Sequence, residues 1–392
     1  MFKKILLALL FLAFNELAFA QNQWINVKDF GALGNGVSND TAAVNSAIAS
    51  IPARGGVIYF PSGRYLLQSR INLPDKRISI TGDGIGISNL EWTTSSGGIL
   101  YQPTIDAAGS GADNSREFSV SNITMRTAVA GGGVAIRAVW PETSGRVTST
   151  FNIKDVEIRG SDFTKNWSGG IELEGAKFSK IMNVSLYGRN SSYSAMSYGI
   201  RINSNGSSTE YYIDNTTVVF SNIGLEVRGG TGSGNGPEGV YVNQGAFINV
   251  GSGVIFNTTS SEPLLFVRGV HINAYSAGIH SNALQAIYSN NLIYYGDDAF
   301  GIRIFGLSQD VLVRDNIFYG VRERNTTGVV VPAGPVRVSI TGNHFDGCTT
   351  GIWMQSGSSG NFAAQNVFSN CTNRLLNQGT QNIVYGWGAA AP

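Results

Sequence analysis

The sequence predicts an all-β fold: a right-handed parallel β-helix (solenoid) with a short N-terminal capping helix. Three observations predict it. First, glycine is abundant, 50 of 392 residues, and charged residues make up only 14%, against average usage of about 7% Gly and about 25% charged. That balance argues against a helical enzyme, a coiled coil or a disordered chain. It favours many short strands joined by tight turns. Second, a Gly-Ile-x-Val/Ile marker recurs from about residue 151 onward, beginning at Gly170, Gly199, Gly224, Gly253, Gly278, Gly301, Gly328 and Gly351. The intervals are 29, 25, 29, 25, 23, 27 and 23 residues, too short for propeller blades of about 40–45 residues. Leucine is too sparse for a leucine-rich repeat. Third, Asn291, Asn316, Asn343 and Asn366 occupy one slot of four successive coils, in phase with the glycine marker. Stacked Asn side chains hydrogen-bond along a solenoid as they do in cross-β ladders.

Taken in order, residues 1–20 carry two lysines, a Leu/Phe-rich run and Ala18-Phe19-Ala20, the pattern of a secretory signal peptide cleaved after Ala20. No other stretch is long and apolar enough to span a membrane. The chain is therefore expected to be secreted or periplasmic, with no membrane attachment after cleavage. The remainder holds 25 basic and 25 acidic residues, without the basic excess of a nucleic-acid binder. Residues 21–392 are expected to form one β-helix domain, with the cap and first coils over about 21–90 and regular coils over about 151–392. Within the cap, Trp24–Val27 reads as a strand and 41–49 as a helix with Asp40 at its N-terminus. The stretches Gly55–Leu67 and Ile78–Gly82 then read as strands. A helix over the first coil protects an edge that would otherwise pair with other chains. So Asp29, Gly31, Gly34, Asn39 and Asp40 read as structural. About 25 residues per coil gives roughly 12–14 coils and a length of about 60 Å. Cys348 and Cys371 are one coil apart, so they stack at about 4.8 Å. That separation admits a disulfide in an exported protein or two stacked free thiols.

Two stretches carry a family resemblance. Val27–Val44, followed by Gly55–Tyr65, resembles the opening of the pectate-lyase-like superfamily of right-handed β-helix proteins. That superfamily includes polygalacturonases, pectate lyases, rhamnogalacturonases, epimerases and phage tailspike depolymerases. His271–Gly296 is most similar to the tailspike-type depolymerases, which cleave bacterial capsular or exopolysaccharides. The resemblance implies an exported enzyme that cleaves glycosidic bonds of such a polymer, as a monomer or a homotrimer. The signal peptide, and the lack of an evident virion-attachment domain, point to a cellular enzyme rather than a virion part.

The alternation of Gly-Ile-x-Ile-x places the x positions outward. The first outward column reads Glu172, Arg201, Glu226, Ile255, His280, Arg303, Val330, Trp353. The second reads Glu174, Asn203, Arg228, Asn257, Asn282, Phe305, Pro332, Gln355. In a chain so poor in charge, this patch of acids, bases and rings suits a sugar-binding groove: carboxylates move protons, arginines hold hydroxyls or acids, and rings stack on pyranoses. Glu172 and Glu226, two coils and about 9.6 Å apart at Cα, are expected as the acid–base pair of an inverting glycoside hydrolase. Glu174 is the reserve acid. Arg201, Arg228, His280, Arg303 and Trp353 are expected to bind substrate. The competing reading is an exposed ladder of alternating charge with only a structural role.

Other candidates carry less. Asp297-Asp298 is similar to the paired aspartates of polygalacturonases, but the accompanying Gly-His-Gly and Asn-Thr-Asp-Gly are missing, so a turn is expected. Asp155, Glu157, Asp162 and Asp214 lie near coil turns, where a tailspike-like enzyme could carry its acids. His271 and His344 lie away from His280, and three scattered histidines do not make a metal site. No cofactor or metal is expected. A polysaccharide lyase acting on a uronate-containing glycan, and a non-catalytic glycan-binding β-helix, are the alternatives to the hydrolase.

Overall fold

The computed structural model describes residues 24–104, 116–141, 149–204, 208–229, 237–258, 263–320 and 325–386. The expected signal peptide lies outside them. The described chain winds as a parallel β-helix of three sheets, each strand pairing with its counterpart in the next coil. The first sheet runs from Ile71–Leu73 through Ile99–Tyr101, Val134–Val139, Gly169–Glu174 and Tyr198–Ser204 to Asn373–Asn377. The second and third sheets are often one continuous strand bent at a corner, as in Phe151–Gly160 and Glu210–Val219. The corner residue is Asp155, Asn183, Asn215 or Gln244, each in the left-handed region. Asn and Asp tolerate that conformation better than most side chains. Asn183 Nδ2 donates to Asp155 Oδ1 at 3.0 Å, and Asn215 Nδ2 to Asn183 Oδ1 at 2.9 Å. Asp155 is therefore a rung in a corner ladder.

The Gly-Ile marker has a steric cause. A Cβ on Gly170 would lie 2.2 Å from the Gly199 carbonyl oxygen, and one on Gly278 would lie 2.4 Å from that of Gly301. The coil backbones approach too closely here for any side chain. The apolar residue that follows is buried in every case, Ile171, Ile200, Leu225, Val254, Ile279 and Val329 among them, and drives the stack by apolar burial. Inside, rings pile coil on coil, with Phe318, Phe345 and Phe368 at centroid spacings of 4.7 and 5.1 Å.

The Asn ladder is present. Asn291 Nδ2 donates to Asn316 Oδ1 at 2.9 Å, Asn316 to Asn343 at 3.0 Å, and Asn343 to Asn366 at 3.0 Å. Each oxygen also accepts the backbone N–H of the preceding Asn. These buried amides thus satisfy backbone groups at the corner where the sheet ladder is interrupted. Cys348 and Cys371 form a disulfide between adjacent coils, with Cα atoms 4.5 Å apart.

At the N-terminal end, helix Thr41–Ala49 buries Val44, Ala47 and Ile48 on the core. Asp40 precedes this helix but does not cap it with its side chain. Its backbone, at φ −90° and ψ 0°, turns the carboxylate back to the Gly-rich loop, where it accepts from Leu33 N at 2.7 Å and Gly34 N at 3.2 Å. Asn39 Oδ1 takes the Thr41 N–H instead, at 3.0 Å. Asp40 fastens loop to helix, a structural role.

Candidate active site on the first sheet

The predicted register holds across the column. Glu172 pairs with Arg201, Arg201 with Glu226, Glu226 with Ile255, Ile255 with His280, His280 with Arg303, Arg303 with Val330 and Val330 with Trp353. The second column runs Glu174, Asn203, Arg228, Asn257. The structure adds a rung before Glu172: Arg137.

These residues form two layers. The inner one is closed. Glu172 is 8% exposed and lies between Arg137 Nε at 3.1 Å and Arg201 Nη1 at 3.7 Å. It also accepts from the Tyr198 hydroxyl and, at 3.4 Å, from Asn203 Nδ2. Arg201 covers the Tyr198 ring at 3.5 Å and holds Glu226 through Nε at 2.5 Å. Burial and the Glu172 carboxylate push the Tyr198 phenol well above its usual range, so it stays protonated.

The outer layer is open. Arg137 uses Nε on Glu172, and Arg228 uses Nε on Asn203 Oδ1 at 2.8 Å. Among the described residues, neither terminal nitrogen pair of these arginines finds another acceptor. Beside them stands Glu174, half-buried and outside any ion pair among the described residues. Desolvation raises its pKa above the usual carboxylate value, opposed by Arg137 and Arg228 and reinforced by Glu172. Desolvation thus favours its protonated form, the direction that suits a carboxyl to proton transfer.

Further along, His280 packs on Phe305 and Phe300 at 4.4 and 5.5 Å. Burial and Arg303 lower its pKa, so it is a neutral, ring-flanked surface. Trp353 Nε1 donates to Gln378 Oε1 at 3.0 Å. These residues continue the column as a polar and aromatic strip. Asp297-Asp298 form an exposed turn, with Asp298 at φ 52° and bonded by Asn325 Nδ2 at 2.8 Å. His271 and His344 lie on the third sheet, away from this face. No cluster of three or more potential metal ligands occurs among the described residues.

Sequence reasoning missed Arg137 and Tyr198. Arg137 sits in Val134–Val139, which follows Gly131-Gly132-Gly133 and alternates as the later coils do, but has Ala135 in the place of the marker glycine. Tyr198 directly precedes the Gly199 marker, and its ring packs against the Gly169 backbone of the preceding coil.

A sequence profile for the family described as rhamnogalacturonase A/epimerase, pectate lyase-like, matches residues 24–280. Mannuronan C5-epimerase AlgE1 of Azotobacter vinelandii is 36% identical over 111 residues, which is 26% of this chain and 7% of the epimerase. Alginate lyase 7 of the same organism is 30% identical over 111 residues, 26% of this chain and 12% of the lyase. The chain thus matches only a small part of the length of these curated relatives. Among solved structures, the A-module of A. vinelandii mannuronan C-5 epimerase AlgE4 superposes with a TM-score of 0.63 at 18% identity, covering 93% of this chain and 100% of that one. The tailspike of E. coli bacteriophage HK620, solved with a pentasaccharide, gives 0.60 at 12% identity, covering 87% and 67%. Both likenesses bear on the fold.

Proposed function

The chain belongs to the rhamnogalacturonase A/epimerase, pectate lyase-like family, and from that premise we propose that it modifies a uronate-containing polysaccharide by moving the proton at C5, as a lyase or an epimerase does. The observation that carries this reading is the outer layer of the first sheet: one carboxyl of raised proton affinity, Glu174, beside two half-committed arginines.

The C5 proton of a uronate is acidic only when the adjacent carboxylate is neutralised, because its removal pushes electrons into that group. Arg137 and Arg228 supply guanidinium groups of the right shape, since the planar fork matches a carboxylate. They stand three rungs apart, about 14 Å along the axis, and so hold carboxylates of different residues of one chain. Glu174 takes the C5 proton. In a lyase, the electron pair forms the C4–C5 double bond as the C4–O bond breaks, and the departing oxygen takes a proton from water. In an epimerase, a proton returns to C5 from the opposite face. Glu172, Tyr198, Arg201 and Glu226 form the rigid base that fixes Arg137 and Asn203, and through Asn203 also Arg228. The strip from His280 through Arg303 to Trp353 serves as further subsites. The names of the curated relatives, C5-epimerases and a lyase of an alginate-type polymer, support this class. The pattern of residues 1–20 supports export to the periplasm or beyond.

A second reading keeps the glycoside hydrolase. It is favoured by Glu172 and Glu226 standing two rungs apart on one column, near the spacing of inverting enzymes. Against it, each carboxylate is already held by arginine in the closed inner layer, with Glu172 only 8% exposed and so poorly placed to meet a glycosidic oxygen.

Purified protein incubated with polymannuronate, polygalacturonate and a neutral glucan separates the readings. The proposal expects action on a polyuronate only, seen as an unsaturated, ultraviolet-absorbing product or a changed C5 configuration by NMR. New reducing ends on saturated products would instead establish the hydrolase.

A further inference from the structure

The third sheet carries a charged ladder of its own, away from the first-sheet face. Arg64 grips Glu91 with Nε at 2.9 Å and Nη2 at 2.5 Å. Arg126 pairs with Glu91 in register and reaches it only at 3.5 Å. Arg159 is the rung beyond Arg126 in the same column, so two like charges occupy neighbouring rungs, and burial, with Arg159 adding to it, lowers the Arg126 pKa. Like charges so placed are destabilising. Glu157 relieves this only in part, accepting from Arg159 Nε at 2.8 Å. Arg126 Nε is buried without a hydrogen bond.

This cation-rich end of the ladder opens onto a cavity of about 460 Å³. Its walls include the Glu157–Arg159 pair, Tyr187, Phe163, Phe220 and Asn190. Phe163 is 80% exposed, a cost in water that a partner would remove. Phe220 holds φ 57°, a strained conformation for an aromatic residue. Gly188, also in the wall, has no room for a Cβ, which would lie 1.8 Å from the Phe220 carbonyl oxygen. Arg159 spends Nε on Glu157 and Nη1 on the Gly160 carbonyl at 3.4 Å, and its second terminal nitrogen has no acceptor among the described residues. Asp162 on the rim is turned into its own loop, where Oδ1 accepts from Thr164 N and Oγ1 at 2.7 Å each.

We propose that this cavity is a second saccharide site, separate from the catalytic face, which holds a pyranose bearing a carboxylate. Rings with one exposed face stack on the apolar side of a pyranose. The edge of Arg159 left over from its bond to Glu157 pairs with the carboxylate. Asn190 offers an amide to the ring hydroxyls. The site anchors the polymer without acting on it.

The inference draws its ligand class partly from the polyuronate reading, and the experiment separates the two. Calorimetric titration uses an oligomannuronate and a neutral cello-oligosaccharide, on the wild-type protein and on the Phe163→Ala, Arg159→Gln and Arg228→Gln variants. Phe163→Ala removes an exposed ring and leaves the core intact. The expected result is a binding event for the acidic oligomer that survives Arg228→Gln and weakens about tenfold or more in both Phe163→Ala and Arg159→Gln. Turnover of short substrates by Phe163→Ala stays at the wild-type level. Binding by both cavity variants within about twofold of wild type overturns the site. Equal binding of the neutral oligomer overturns the carboxylate assignment. Loss of turnover in Arg228→Gln with cavity binding retained bears on the first-sheet reading alone.

Discussion

Two glutamates on one strand, Glu172 and Glu174, are predicted to respond in opposite ways to the same isosteric change. Glu174→Gln removes a carboxylate that the fold disfavours. Its folded pKa lies above the unfolded value because burial opposes ionisation. A raised carboxyl pKa means the folded state binds the proton more tightly, so the stabilisation is full below the unfolded value, near 4.5, and is lost as pH rises through the folded pKa. At neutral pH the native Glu174 is therefore a liability. Glu174→Gln should leave Tm unchanged or raise it near pH 7, and the gain should vanish at pH 4 and below. Glu172→Gln removes a carboxylate held by Arg137, Arg201, Tyr198 and Asn203. Arg201 keeps Glu226, but Arg137 loses its counter-ion and the phenol its ionic acceptor. Discounting for the half-exposed Arg137, the cost is about 2–4 kcal/mol, and Tm should fall. On activity, loss of the proton-transfer group should lower kcat by about 10²–10⁴, equivalent to about 3–5 kcal/mol of barrier. Thermal melts at pH 4 and 7, with turnover on a polyuronate, measure both. A Glu174→Gln variant that is less stable at neutral pH, or turns over within about fivefold of wild type, would refute the reasoning.

Other consequences follow from the same geometry. Asn316→Ala deprives the Asn291 backbone and side-chain N–H groups of their acceptor and the Tyr288 carbonyl of its donor; the loss should be about 3–5 kcal/mol, read from chemical denaturation. Cys348→Ser opens a 23-residue loop, worth about 3 kcal/mol by chain entropy, and hydrogen exchange should rise first in the C-terminal coils. The His280 pKa is lowered in the fold by burial and Arg303, so stability is full above the unfolded value of 6.5 and falls as pH drops below it. His280→Gln should shrink that acid loss in a Tm–pH profile but not abolish it, because burial also lowers the His271 pKa.

The fold was legible because its cause is local and periodic. Gly170 and its successors mark where backbones touch, and the Asn slot marks the corner, so both register and coil length are written at each repeat. One coil of spacing stacked Cys348 on Cys371, and the structure decides between bond and free thiols in favour of the bond. What the sequence hid is which polar partner each exposed group chooses. Asp40 stands at a helix start, yet its carboxylate serves the loop behind it. Glu172, Glu174 and Glu226 look alike in an alternating strand. Only the packing of Tyr198 and Arg201 over the inner layer separates two ion-paired acids from one with raised proton affinity. Arg137 went unread because its coil lacks the Gly-Ile pair, carrying Ala135-Ile136 instead. The third-sheet cavity has no linear signature, since its wall draws on three coils, at Arg159, Tyr187 and Phe220.

The central claim, that the first sheet moves the C5 proton of a uronate, is tested most directly in deuterated water. Polyuronate is incubated with the wild-type protein and with Glu174→Gln, and the C5 position is followed by NMR. The account predicts that wild-type protein either places deuterium at C5 or removes the C5 hydrogen with formation of the C4–C5 double bond, and that Glu174→Gln does neither at a comparable rate. Chain cleavage by the wild-type protein with every C5 hydrogen retained would contradict it.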